Sequence, residues 1–172
     1  LNPHLAVKAD VPQGNFECRP TDPKWTKWLP SDPTSPHWYS AEDLTGLIAA
    51  CISADQKTDR SRTVREFIAG FAGLSSSRKK KNVLEGLGLF REPLSILVTD
   101  DGQLDSAKIK ALLDAMCQHS KSIKPGKLGI IGSGHFEKRF GELGCDPETF
   151  KYKLAKGDID GLPYLIEVAF AH

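Results

Sequence analysis

The sequence predicts a mainly α-helical protein of about five helices with a short β appendage at its end. Three observations carry this. Apolar residues recur at helical spacing in successive stretches between residues 41 and 145. Ser, Thr and Asp stand where those stretches begin, and Gly where several of them end. After residue 146 the hydrophobic pattern switches to period two. Three segments follow: an extended lead-in over 1–40, a helical domain over 41–145 and a β unit over 146–172.

The lead-in holds seven of the 11 prolines and all three tryptophans, Trp25, Trp28 and Trp38. Proline forbids a long helix there, while the indoles supply large apolar anchors, so the segment is expected to lie extended and pinned to the core. Helix one starts at Ser40, an N-cap with Asp43 three residues on, and its stripe is Leu44, Leu47, Ile48, Cys51 and Ile52, ending near Ala54. Thr63-Val64-Arg65-Glu66 is a capping box that opens helix two, with Phe67, Ile68 and Phe71 as its apolar side. Helix three runs from the Ser75–Ser77 cluster to Leu87, with Gly88 as its C′ residue. The turn at Thr99-Asp100-Asp101-Gly102 precedes helix four, capped by Asp105 or Ser106 and carrying Ile109, Leu112, Leu113 and Met116.

Proline and glycine interrupt the chain between Lys121 and Gly132, after which Ser133 is expected to cap helix five, with Phe136, Phe140 and Leu143 inward and Gly144 closing it. Asp146-Pro147-Glu148 reads as N-cap, N1 and first-turn acid. Two strands close the sequence: Phe150, Tyr152 and Leu154 alternate with lysines, and Tyr164 to Phe170 follows a turn placed at Gly161-Leu162-Pro163.

The net charge of +1 conceals segregation. From Lys57 to Arg91 nine basic residues face three acidic ones, and from Lys121 to Phe140 five face one. Phosphate binding needs cations, small polar groups and free backbone N–H at a helix start. The second block offers all three: Lys121, Lys124, Lys127, the glycines, then Ser133, His135, Lys138 and Arg139. Arg78, Lys79, Lys80 and Lys81 form a second candidate patch, although a lysine run on a helix is commonly a solvated face. His135 also fits a plain hydrogen-bonded role at a helix start. Arg60, Arg62 and Arg65, interleaved with Asp59 and Glu66, are expected to form local ion pairs.

Several classes are disfavoured. No apolar run approaches the roughly 18 residues of a membrane span. The four cysteines, Cys18, Cys51, Cys117 and Cys145, show neither C-x-x-C nor zinc-ligand spacing, which reads as a reduced, cytoplasmic protein. There is no P-loop, G-x-S-x-G or H-E-x-x-H motif. No catalytic residue, cofactor or metal is therefore expected within these residues. The start Leu1-Asn2-Pro3-His4 has neither an initiator Met nor a signal-like pattern, and reads as an excised piece.

The stretch Ile109–Ser120, Lys121–Gly132, Ser133–Leu143 resembles the helix-two-turns-helix domain. Along residues 35–171 the order of motifs is similar to the B subunit of type IIB topoisomerases, topoisomerase VI. Ser35-Pro36-His37 before Asp43-Leu44 looks like that subunit's Pro-His lead into its first middle-domain helix. Arg62-Thr63-Val64-Arg65-Glu66-Phe67-Ile68 looks like its T-L-R-x-F-L helix, and Ala111-Leu112-Leu113-Asp114-Ala115-Met116 like its A-L-x-x-A-M helix. Ile130-Ile131-Gly132 falls at its S-P-I-G, and Leu162 to Ala171 looks like its N-P-F-L-V-E-V-G-I-A strand. The resemblance implies a Bergerat-type ATPase domain before this segment and a transducer whose first two strands close it. It also implies ATP and magnesium for the parent chain, a topoisomerase A-like partner subunit, a nucleotide-dependent dimer and duplex DNA as substrate. The function expected here is sequence-independent DNA backbone binding together with linkage between ATPase and transducer. The alternative is a spacer or protein-interaction module with no DNA affinity.

Overall fold

The computed structural model describes residues 3–12 and 14–172. In chain order these form strands β1 (Val7–Val11) and β2 (Gly14–Cys18), helices α1 (Ala41–Lys57), α2 (Val64–Ala69), α3 (Ser77–Glu85), α4 (Ser106–His119) and α5 (Ser133–Glu142), then strands β3 (Lys151–Ile159) and β4 (Leu162–Phe170). The class is mixed: five helices with two separate antiparallel two-stranded sheets, β1–β2 and β3–β4. Among the described residues no helix is long and apolar enough to cross a membrane.

Two compact units divide the chain. A helical unit comprises Pro30–Ile123 with Asp160–Leu162, and a mixed unit comprises the described residues of Leu1–Leu29 with Lys124–Ile159 and Pro163–His172. This division cuts across the expected boundaries at 40 and 145. The first residues group with the last ones, and α5 sits with β3 and β4.

In the helical unit the predicted local signals are realised. Ser40 and Asp43 exchange both bonds of a capping box at the start of α1, as do Thr63 and Glu66 at the start of α2. Asp105 caps α4 by accepting from the Lys108 N–H. Helix α3 ends at Glu85 with Gly86 as its C-cap, two residues before the expected Leu87, and Gly88, at φ 68°, closes the turn that follows in a left-handed conformation, with the Leu89 N–H reaching the Leu84 carbonyl at 3.1 Å and the Gly88 N–H reaching Glu85. The helix α1 runs one turn beyond the expected end at Ala54. Its last turn is held by Asp55, only 7% exposed, whose carboxylate meets the Arg62 guanidinium at 3.1 Å. Arg62 also donates to the Cys51 thiol at 3.1 Å. Its partner is therefore Asp55 and not a neighbour in sequence, and Arg65 instead lies over the Phe90 ring.

The core is one apolar cluster. Ile109, Leu112 and Met116 of α4 are fully buried with Leu44 and Ile48 of α1 and Leu84 of α3. The lone Met is core packing, as its helical spacing predicts. Thr34 ties to the loop after α2 through its carbonyl, which accepts from the Ala72 N–H at 2.9 Å.

In the mixed unit β1 and β2 pair in the register Val7↔Cys18 to Val11↔Gly14. This hairpin replaces the uniformly extended segment expected over 1–40. The β3–β4 turn is also corrected: its loop is Asp160-Gly161, at φ 52° and 85°. Positive φ at both positions gives the tight connection that matches strand twist, which Asp-Gly adopts and Leu162-Pro163 could not. β4 thus begins at Leu162 and contains Pro163. Phe136 of α5 lies 6.0 Å from Tyr152, and Phe140 lies 6.0 Å from Phe150. These aromatic contacts supply the support that an isolated two-stranded hairpin lacks.

Truncating the centre of the cluster with Leu112→Ala is expected to cost about 2–5 kcal/mol in urea unfolding, whereas Thr63→Ala, which removes one cap, costs about 1 kcal/mol. Equal midpoints for the two variants would contradict the placement of Leu112 in the core.

Candidate functional site

The stretch between α4 and α5 is built around three glycines. Lys124 precedes a 3-10 turn at Pro125–Leu128, and Gly129 follows at φ 102°. At Gly129 the need for glycine is steric as well: a Cβ would lie 2.7 Å from that of Lys27 and 2.8 Å from the Trp25 ring. The Trp25 indole N–H donates to the Ile130 carbonyl at 2.8 Å, and His4 stacks on the same indole at 5.4 Å. The tryptophan is an anchor, as its composition suggests, and what it anchors is this loop.

Ser133 does not cap α5. The N-cap is Gly132, at φ 88°, without a side-chain cap bond, and Ser133 occupies the first helical position. The Ile131 N–H donates to Oε1 of Glu167 at 2.8 Å, the Gly132 N–H to Oε2 at 2.7 Å, and the Tyr152 hydroxyl to the same Oε2 at 2.7 Å. A carboxylate from β4 thus sits where the sequence reading expects a phosphate.

The electrostatics follow from that triad. Burial opposes the charge on Glu167, but the Ile131 N–H, the Tyr152 hydroxyl and the Gly132 N–H together hold its carboxyl below the usual value of 4.5. Burial, the hydrogen bond given to Glu167 and the carboxylate's charge push Tyr152 up to about 12.

The candidate phosphate ligands separate by unit. Lys121, Arg78, Lys79, Lys80 and Lys81 belong to the helical unit, while Lys124, Lys127, Ser133, His135, Lys138 and Arg139 belong to the mixed unit. Lys138 and Arg139 both pair with Glu142 one turn along α5, and Lys81 pairs with Glu85 at 3.7 Å. His135 Nε2 and the Thr21 hydroxyl share a hydrogen bond of 3.3 Å, the plain role weighed for this histidine. Lys121, Lys124 and Lys127 are exposed and make no ion pair among the described residues. Beside α5 lies an apolar cleft of about 620 Å³ lined by Leu5, Ile131, Phe136 and Phe140. At its rim Arg19 pairs with Glu17 and Arg139 with Glu142.

Among the described residues no three His, Cys, Asp or Glu side chains gather as a metal site, and the amides of Ile131 and Gly132 hold Glu167. The acidic turns are structural: Asp101 accepts from the Thr99 hydroxyl, and Asp146 accepts from the Glu148 N–H at 2.9 Å. Sequence reasoning missed Glu167 and Tyr152. Their signal was a single acid in an apolar period-two run, with no cation near it in sequence. Compared with known proteins, the chain matches no family model, no curated protein and no solved structure.

Removing the carboxylate with Glu167→Ala is expected to cost about 1–2 kcal/mol, given the partial solvent access of the site. Because its folded pKa is lowered, the stability from Glu167 is complete above about 4.5 and is lost as pH falls through the lower folded value. The raised pKa of Tyr152 works in the opposite sense: its contribution is complete below 10 and is lost as pH rises toward about 12. Thermal unfolding from pH 3 to 11 checks this. Glu167→Gln should flatten the acid limb and Tyr152→Phe the alkaline one.

Proposed function

We propose that this chain is the middle segment of a topoisomerase VI B-subunit-like ATPase and that its own role is linkage. In that role it joins a nucleotide-binding part to a transducer, with weak, sequence-independent contact to the DNA backbone. The observation that carries the linkage role is the Glu167 triad. It fastens the start of α5 to both β3 and β4, so a displacement of the strands is delivered to the helix start without passing through flexible chain. The order α4, interrupted turns, α5 is that of the helix-two-turns-helix comparison, while α4 belongs to the helical unit and α5 to the mixed unit. On this reading ATP, magnesium, the A-like subunit and nucleotide-dependent dimerisation belong to the parent protein, and the segment itself catalyses nothing.

DNA contact keeps a place in the reading because of exposed cations that make no ion pair among the described residues, Lys124 and Lys127 in the mixed unit and, separately, Lys121 in the helical unit. The internal carboxylate and the paired Lys138 and Arg139 restrict it to a few phosphates. Fluorescence anisotropy with a 20-base-pair duplex should give a log–log salt slope no steeper than about −3, at about −0.9 per phosphate. Lys124→Ala plus Lys127→Ala should remove most of it. Hydrogen exchange tests the linkage: Glu167→Ala should release the amides of Ile131 and Gly132 and leave α1 and α4 protected. A slope near −6 that collapses on Lys138→Ala plus Arg139→Ala would overturn the assignment of linkage as the primary role.

A further inference from the structure

The hairpin β3–β4 has two unlike faces. Tyr152 and Glu167 point toward the loop and α5, whereas Tyr164, Ile166, Val168 and Phe170 project outward at every second position of β4. Three of these are more than half exposed: Ile166 at 54%, Val168 at 58% and Phe170 at 59%. A continuous column of aliphatic and aromatic side chains on one strand face is larger than the scattered exposure ordinary for a soluble surface.

Shape and charge define what fits there. The Asp160-Gly161 loop sets Gly157 opposite Tyr164, whose ring covers it, and the same register sets Lys153 beside Val168 and Lys151 beside Phe170. Both lysines are exposed, and none of the outward residues of β3 and β4 is acidic. Two strands make a strip about 10 Å wide, the width of one helix. The column from Tyr164 to Phe170 is about 20 Å long, which corresponds to about 14 helical residues. A second copy of this face would bring lysine and apolar groups against lysine, with no acid to meet them.

We propose that the outward face of β3–β4 docks an amphipathic helix of about four turns that carries acidic residues on the flank facing Lys151 and Lys153. The apolar column takes the helix's apolar stripe, and the two lysines fix its direction and exclude basic helices. The inference is independent of the DNA-contact reading, since none of its residues belongs to the basic loop.

The probe is a fluorescein-labelled synthetic 16-residue helix with leucines at i, i+3, i+4 and i+7 and glutamates along one flank. A twin peptide carries lysines in place of the glutamates. With the full 172-residue chain at 50 mM salt, the glutamate peptide should bind at least about tenfold more tightly than its twin. Lys151→Glu plus Lys153→Glu should reverse that order. Ile166→Ser plus Val168→Ser should abolish binding while circular dichroism stays native, because both positions are exposed. Failure of the glutamate peptide to bind, or equal binding of the two peptides, overturns the proposal. So does sedimentation as a dimer that Ile166→Ser plus Val168→Ser dissociates, or preferential binding to phosphatidylserine vesicles.

Discussion

Two amide hydrogens and a phenol converge on the carboxylate of Glu167, and the architecture of the mixed unit depends on that convergence. Without an anion, the turn at Ile131-Gly132 would leave backbone donors facing inward at the start of α5, where a helix already carries partial positive charge. Glu167 satisfies the donors and the dipole together, and Tyr152 brings the second strand into the same network. One side chain therefore determines how a loop, a helix start and a hairpin are arranged. The same carboxylate turns a loop that looks built for phosphate into a structural joint.

The helical unit rests on a different kind of constraint. Its core is apolar and centred on α4, and a partly buried ion pair, Asp55 with Arg62, ties the end of α1 to the segment leading into α2. That segment also bonds to 92–94 through backbone, with Val64 N–H to the Glu92 carbonyl and Leu94 N–H to the Arg62 carbonyl. A buried pair contributes little net energy compared with a well-packed apolar replacement, but breaking one partner leaves an uncompensated charge. Its effect is to fix geometry: Arg62 donates to both Asp55 and Cys51, which holds the segment before α2 against the last turns of α1.

Charge patterning is informative here by what the fold does with it. The block from Lys121 to Phe140 looks uniformly basic in sequence, yet Lys138 and Arg139 share an acidic partner, Glu142, on their own helix while Lys121, Lys124 and Lys127 make no ion pair among the described residues. Linear charge counts cannot separate these cases, since Glu142 lies just outside the block and Glu167 reaches the loop from 35 residues away. A role in linkage with modest DNA contact accommodates both kinds of cation.

Much of the helical architecture was legible in the sequence, for a local reason. Caps at Ser40, Thr63 and Asp105, the left-handed closures at Gly88 and Gly144, and the apolar stripes of α1 and α4 depend on residues three to five apart. Interactions at that range are written in the chain itself. The sequence also determined that the end of the chain would be strands, through its period-two alternation. What it left open was partnership across distance. The union of the described residues before Pro30 with the last ones, the occupation of the Ile131 and Gly132 amides by Glu167 and the pairing of Arg62 with Asp55 were decided by tertiary structure alone. A period-two pattern states that two faces differ and not which loop one of them will meet. A buried donor must find an acceptor wherever the fold brings one, so the partner depends on topology and not on spacing.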